Sequence, residues 1–408
     1  MKRTLITNIG MLATPQGTAA RGGRAQGEIC ILKNAWIFIE NDVIAQVGTG
    51  TAPAAADAQT INAGGKLVTP GLVDAHTHLI FGGWRQNELA LKLHGAGYLD
   101  ILAAGGGILS TMRATKAASE EQLEAKASAA LDEMLRFGTT TAEAKSGYGL
   151  STGEECKALR VIGKLQKHHV MDLAATFMGA HAVPEAYRDN RQGYLELLCE
   201  EMLPAVREQG IAEFCDVFCE KGVFSAEESR RILLTGRQYG LRPKIHADEI
   251  EAIGGSELAG EIGAVSAEHL IVCPPSGIAS MAEGGTVACC LPATSFYLGA
   301  AYAPVQDMVQ AGVPVAMATD FNPGSCPCLN MQLVISLGCL RYRLTPEQAL
   351  TAVTLNGAAA ICRADRIGSI EPGKQADILI WNAEDLDYIC YRLGSNLVDT
   401  VIKKGNVV

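Results

Sequence analysis

The stretch Leu67-Val-Thr-Pro-Gly-Leu-Val-Asp-Ala-His76-Thr-His78 decides the fold. An apolar, β-like run ends in an aspartate and two histidines. Residues two apart on a strand point to the same side, so His76 and His78 can reach one ion from a strand end. A lone His-X-His also arises by chance, and the rest of the chain must support it. Working outward, apolar β-like runs end near Asp74, Thr141, Gly179, Val217, Ile245, Ala267, Leu291 and Thr319. Helical patterns lie between most of them, for example Glu121 to Arg136, Gly153 to Lys167, Ala226 to Tyr239 and Ile250 to Ile262. This alternation over residues 70–358 predicts a (β/α)8 TIM-like barrel, with a doubly wound open sheet as the alternative. The barrel is favoured because polar residues collect just past the strand ends, where barrel enzymes keep their chemistry.

The flanks read differently. Short β-like runs (Thr4 to Ile9, Ala35 to Ile39, Val43 to Val47) are separated by turn residues, and the style returns at Ala376 to Trp381 and Val398 to Lys403. Neither end has enough strands to close a core alone. Residues 1–69 and 359–408 are therefore expected to build one small β-sandwich together.

Composition narrows the function classes. The chain has 408 residues, 48% hydrophobic and 19% charged, enough to bury a large core. Its formal charge of −10 and lack of a dense Lys/Arg run argue against a nucleic-acid partner. Thirteen scattered cysteines, and an N-terminus (MKRTLITNIGM) without a signal-peptide pattern, point to free thiols in the cytoplasm. Cys326-Pro-Cys328 lacks a second cysteine pair at a zinc-site spacing. The long uncharged stretches between Glu283 and Arg341 are broken by Asp307 and Asp320 and are rich in Gly, Pro, Ser and Thr, so no membrane span is expected.

Other strand ends carry matching chemistry. His246 and His269 end the fifth and sixth runs, and Asp320 ends the eighth. Asp320 is the sole charged residue between Asp307 and Arg341, and an ionised carboxylate in apolar company needs a partner, here a cation. A helix N-cap is the simpler use of such an aspartate, but helix-like sequence resumes only after Leu329. His76, His78, His246 and Asp320 make a donor set for one Zn²⁺ or Fe³⁺ that would activate a water. Glu249, just past His246, is the candidate proton carrier, although a first-turn helix carboxylate would look the same. His269 is a fifth donor or a group that polarises a carbonyl; the second role is preferred. Asp320 is the other group able to deprotonate the water. His94, His168 and His169 read as helix or surface residues.

In this order, these residues resemble the amidohydrolase superfamily, whose members join a metal-bearing (β/α)8 barrel to a small β-sandwich made from both chain ends. The likeness covers nearly the whole chain. Within the superfamily, the strings His76-Thr-His-Leu-Ile-Phe-Gly-Gly-Trp-Arg85, Lys145-Ser-Gly-Tyr-Gly-Leu150, Gly179-Ala-His-Ala-Val-Pro184, His246-Ala-Asp-Glu249 and Thr319-Asp-Phe-Asn-Pro-Gly-Ser325 resemble the imidazolonepropionase family. The resemblance implies hydrolysis of 4-imidazolone-5-propanoate to N-formimidoyl-L-glutamate with one metal ion held by His76, His78, His246 and Asp320. It implies Arg85, Tyr148 and His181 as substrate contacts, with Asn322, Gly324 and Ser325 on the other side. Serine stands at 325 where the family more often has threonine, and the hydroxyl is kept. Binuclear relatives carry a bridging lysine on strand four, near Lys221 here, whereas Lys145 is on strand two; one metal is expected. A homodimer is expected by the same likeness. The rival enzymes are the aminoimidazole, cytosine and guanine deaminases, which share the metal frame; a non-catalytic scaffold protein would lack part of it. Arg85, in a Gly82-Gly83 loop, suits a carboxylated ring better than a deaminase substrate.

Overall fold

Gly71 is where the chain passes from one sheet to another in the computed structural model, which describes residues 2–54, 57–94 and 106–408. The apolar run Leu67 to Asp74 is two strands: Leu67–Pro70 belongs to a sheet built by the chain ends, and Leu72–Asp74 opens the barrel. A Cβ at Gly71 would stand 2.3 Å from the Thr140 hydroxyl, so only glycine lets the two sheets meet this closely.

The end-built sheet is a continuous mixed ladder. It contains β1 (Arg3–Thr14), β2 (Cys30–Glu40), β3 (Val43–Thr49), β4 (Gln59–Asn62), β5 (Leu67–Pro70) and, from the C-terminal end, Ile378–Trp381, Val398–Lys403 and Asn406–Val407. β1 pairs antiparallel with β2 and parallel with β4 and β5. Alternate residues such as Ile6, Ile37, Ile39, Val68, Ile378 and Ile402 pack into a core separate from that of the barrel.

The barrel strands follow in chain order and pair parallel: β6 (Leu72–Asp74), β7 (Thr139–Lys145), β8 (Asp172–Ala180), β9 (Phe214–Cys219), β10 (Arg242–Ala247), β11 (Ser266–His269), β12 (Val287–Cys290) and β13 (Val315–Met317). The first and eighth meet just beyond their ends, through a parallel bridge between Thr77 and Phe321 and backbone bonds from His78 to Phe321 and from Asp320 to His76. That seam sets His76, His78 and Asp320 side by side. β7 runs past Thr141 to Lys145, in line with Lys145 lying on the second strand.

The covering helices form for local reasons. Ser119 caps Glu120–Arg136 in a reciprocal box with Gln122, and Leu123, Ala127, Leu131 and Met134 form its buried stripe. Ser225 and Glu228 do the same for Ala226–Gln238. After β10 the helix starts only at Gly255, so Glu249 stands in the preceding loop rather than in a first turn.

Candidate active site

Four side-chain atoms converge at the top of the barrel. His76 Nε2 and His78 Nε2 each lie 3.5 Å from Asp320 Oδ1, and His246 Nε2 lies 3.3 Å from His78 Nε2. Donors arranged tetrahedrally ~2.1 Å from an ion stand ~3.4 Å apart. His76 Nε2 and Asp320 Oδ1 are fully buried and make no hydrogen bond. Burial holds His76 and His78 well below the usual imidazole range, so their ring nitrogens keep free lone pairs. Burial raises the Asp320 carboxyl, although Thr294 donates to it at 2.7 Å; a cation is the missing partner. The residues fit a metal ion. His269 joins the same cluster with His76 and His246. Asp320 and His269 hold positive φ angles of 56° and 68°, a strain typical of functional positions.

Beneath these donors runs a chain of buried ionic groups that sequence reasoning missed. His76 Nδ1 donates to Glu268 at 2.8 Å, and His246 Nδ1 donates to Asp216 at 3.1 Å. Lys145 joins Asp216 (2.7 Å) to Glu143 (2.8 Å), and Lys244 joins Glu143 (2.9 Å) to Glu268 (3.4 Å). All five side chains are 0% exposed, so no solvent screens the pairs. Both carboxylate–imidazole bonds place the proton on Nδ1 and aim the Nε2 lone pair at the centre. The signal in the sequence was period-two spacing: Glu143 with Lys145, and Lys244 with His246, each share one strand face.

Glu249 lies beside the cluster, 3.7 Å from His269 Nε2. Burial pushes its carboxyl up to about 7, partly opposed by His246. It can therefore take and return a proton near neutral pH.

The opposite rim is made of loops. Arg85 follows β6; its Nε donates to Glu88 at 3.1 Å and its backbone N–H to Pro323. A Cβ on Gly324 would fall 2.0 Å from the Arg85 guanidinium carbon, so the 320–325 loop needs glycine there to seat the cation. Tyr148 is buried near His181 and His78, with ring centroids 5.2 and 6.0 Å away. Its loop is stapled by Glu155, which accepts from the backbone of Gly147, Gly149 and Leu150 at 2.8–3.0 Å. His181 stacks on His78 at 4.9 Å and donates Nδ1–H to Gly147; burial lowers it to about 3, so the ring is neutral.

Asn322 lies in the same loop: its amide donates to the Asp320 carbonyl (2.7 Å) and accepts from the backbone of Gly324 and Ser325 and from the Ser325 hydroxyl. It shapes the loop. Lys221 pairs with Glu251 at 2.8 Å on the surface, with its side chain 68% exposed, rather than lying within the buried His/Asp cluster.

Comparison with known proteins agrees with this geometry. The amidohydrolase family profile matches residues 67–408. An imidazolonepropionase of Alkaliphilus metalliredigens (strain QYMF) is 50% identical over 414 residues, spanning 100% of this chain and 98% of that protein. One of Bacillus cereus (strain G9842) is 49% identical over 410 residues, spanning 100% and 97%. The chain belongs to the amidohydrolase family, in its imidazolonepropionase branch. Solved structures share the fold at lower identity. A zinc-bound adenosine deaminase of Xanthomonas campestris superposes with a TM-score of 0.72 at 21% identity, covering 99% of this chain and 92% of that one. The E. coli guanine deaminase gives 0.75 at 16%, covering 100% and 99%. For an imidazolonepropionase relative, the loop-borne arginine opposite a donor cluster is the feature that bears on substrate.

Proposed function

We propose that this chain hydrolyses the ring C–N amide bond of 4-imidazolone-5-propanoate to N-formimidoyl-L-glutamate. The observation that carries the reading is the Arg85 guanidinium seated on Gly324 at the rim of a buried His–His–His–Asp cluster. Reading Arg85 as a carboxylate anchor beside a hydrolytic centre accounts for both features. The full-length relatives named imidazolonepropionase support the same substrate.

His76, His78, His246 and Asp320 would hold one Zn²⁺ or Fe³⁺ per chain, and that ion would acidify a water and make hydroxide available near neutral pH. Arg85 holds the substrate propionate as a bidentate pair. Tyr148, kept protonated by burial, and neutral His181 hydrogen-bond the ring, and Asn322, Gly324 and Ser325 line its other side. Asn322 keeps that loop in shape. Glu249 accepts the proton of the attacking water, with Asp320 as the alternative acceptor. The water oxygen bonds to the ring carbonyl carbon. His269 stabilises the oxyanion. Glu249 then passes the proton to the departing ring nitrogen as the C–N bond breaks. Residues 70–358 carry this chemistry, and 1–69 with 359–408 form the supporting domain.

We read the protein as a cytoplasmic homodimer. Its free cysteines suit a reducing compartment, and Leu340, Tyr391 and Leu393 leave apolar surface for a second copy. Among the described residues, no helix is long and apolar enough to cross a membrane.

The test is turnover of freshly prepared 4-imidazolone-5-propanoate by metal-assayed protein, with the product identified by mass spectrometry. Formimidoylglutamate without ammonia is expected. Ammonia release from amino-substituted rings, with no ring opening, would make it a deaminase.

A further inference from the structure

Lys126 lies on Glu120–Arg136, half-buried against the loop that follows β6. Among the described residues no carboxylate pairs with it. Its Nζ stands 3.8 Å from the Phe81 ring centroid and 4.8 Å from that of Trp84, and donates to the Gly82 carbonyl at 3.2 Å. Burial lowers its pKa to about 8, so the ammonium is kept against a desolvation penalty without an ion pair. What offsets the penalty is contact with that loop.

The loop leads to Arg85. Phe81 packs edge-on to Trp84 at 4.8 Å, and both rings meet Phe321 at 5.7 Å. Phe321 is flanked by Asp320 and Asn322, the start of the loop that seats the Arg85 guanidinium on Gly324. Gly82 is pinned a second time, its N–H donating to the Thr115 hydroxyl at 2.9 Å. A cation over two of the three rings, bonded to the backbone between them, fixes the 81–84 segment in one arrangement relative to 320–325. Trp84 is 45% exposed, so burial alone does not lock it.

We propose that Lys126 is a positioning residue for substrate choice: through Phe81, Gly82 and Trp84 it holds Arg85 where a carboxylate on the ring substrate must meet it. Selectivity for carboxylated rings is then set partly from a barrel helix whose side chain does not touch the substrate. This rests on reading Arg85 as the carboxylate anchor.

The experiment is steady-state kinetics of full-length, metal-loaded enzyme and its Lys126→Met, Lys126→Gln, Lys126→Arg and Arg85→Ala variants. The substrates are 4-imidazolone-5-propanoate and a ring analogue with an ethyl group in place of the propionate. Lys126→Met and Lys126→Gln should raise KM for the carboxylated substrate about 5- to 30-fold, with kcat within about twofold. Both should leave kcat/KM for the ethyl analogue unchanged, and Lys126→Arg should restore KM. Arg85→Ala should raise KM further in the same pattern. A Lys126 effect equal on both substrates, a fall in kcat at constant KM, or no effect while Arg85→Ala raises KM would overturn the role of Lys126 and leave that of Arg85 intact. No KM effect from Arg85→Ala would overturn the anchor and, with it, this inference.

Discussion

The floor of the site and its rim are built on opposite principles. Below the donors, Glu143, Lys145, Asp216, Lys244 and Glu268 are wholly buried, and each contacts at least two polar partners. They sit on strands, and each charge is satisfied only by its neighbours. At the rim, Arg85, Tyr148 and the 320–325 loop are carried by irregular backbone, tied down by Glu88, Glu155, Asn322 and Lys126. The difference separates two tasks. Geometry at the cluster is over-determined by the barrel, whereas the rim, proposed to choose the substrate, is carried by loops that can change without unsettling the core.

The contrast can be broken at several points. Glu249→Gln, between floor and rim, should keep its metal and lose about 10²- to 10⁴-fold in kcat, checked by turnover beside metal analysis. Wild-type turnover would remove Glu249 from proton transfer. Lys145→Met removes the cation between two buried carboxylates, leaving Asp216 only His246 and Glu143 only Lys244 as charged or ring partners, and should lower stability by about 3–5 kcal/mol in chemical denaturation. Arg85→Ala, at the rim, should change stability far less. Asp216→Asn removes the acceptor that orients His246 and should weaken metal binding about 10- to 100-fold in chelator competition. Unchanged affinity would mean that the floor serves folding alone.

The smallest effect lies at the seam between barrel and end-built sheet. Burial alone would raise the Asp172 carboxyl, but Lys403, Lys404 and Gln375 overcome it and hold it at about 2. A lowered folded pKa stabilises above the ordinary aspartate value, and that stability is lost as pH falls from about 4 towards 2. Because Asp172 is partly exposed, the expected gain is only about 1 kcal/mol. Thermal unfolding between pH 5 and 2.5 should show this loss in the native chain and not in Asp172→Asn.

The cluster of His76, His78, His246, His269 and Asp320 was legible in the sequence because these residues interrupt apolar runs at strand ends. The charges beneath them were not. Glu143 and Lys145 look like the polar end of a strand, and only the closed barrel shows that both are buried and paired with charges from other strands. Asn322 belongs to a recognisable motif, but its use within its own loop depends on backbone geometry. Glu155 and Lys126 resemble ordinary solvated helix residues. Glu155 could have been suspected as a carboxylate in a first helical turn after a glycine-rich loop, whereas nothing local marks Lys126. The split of the Leu67 to Asp74 run at Gly71 reflects contact with Thr140, far along the chain.

The most direct test is a crystal structure of the metal-loaded protein with N-formimidoyl-L-glutamate bound. One ion should lie ~2.0–2.2 Å from the Nε2 atoms of His76, His78 and His246 and from an Asp320 oxygen, with the product's propionate-derived carboxylate paired to Arg85. An ion held by other residues, or that carboxylate turned away from Arg85, would contradict the division between floor and rim.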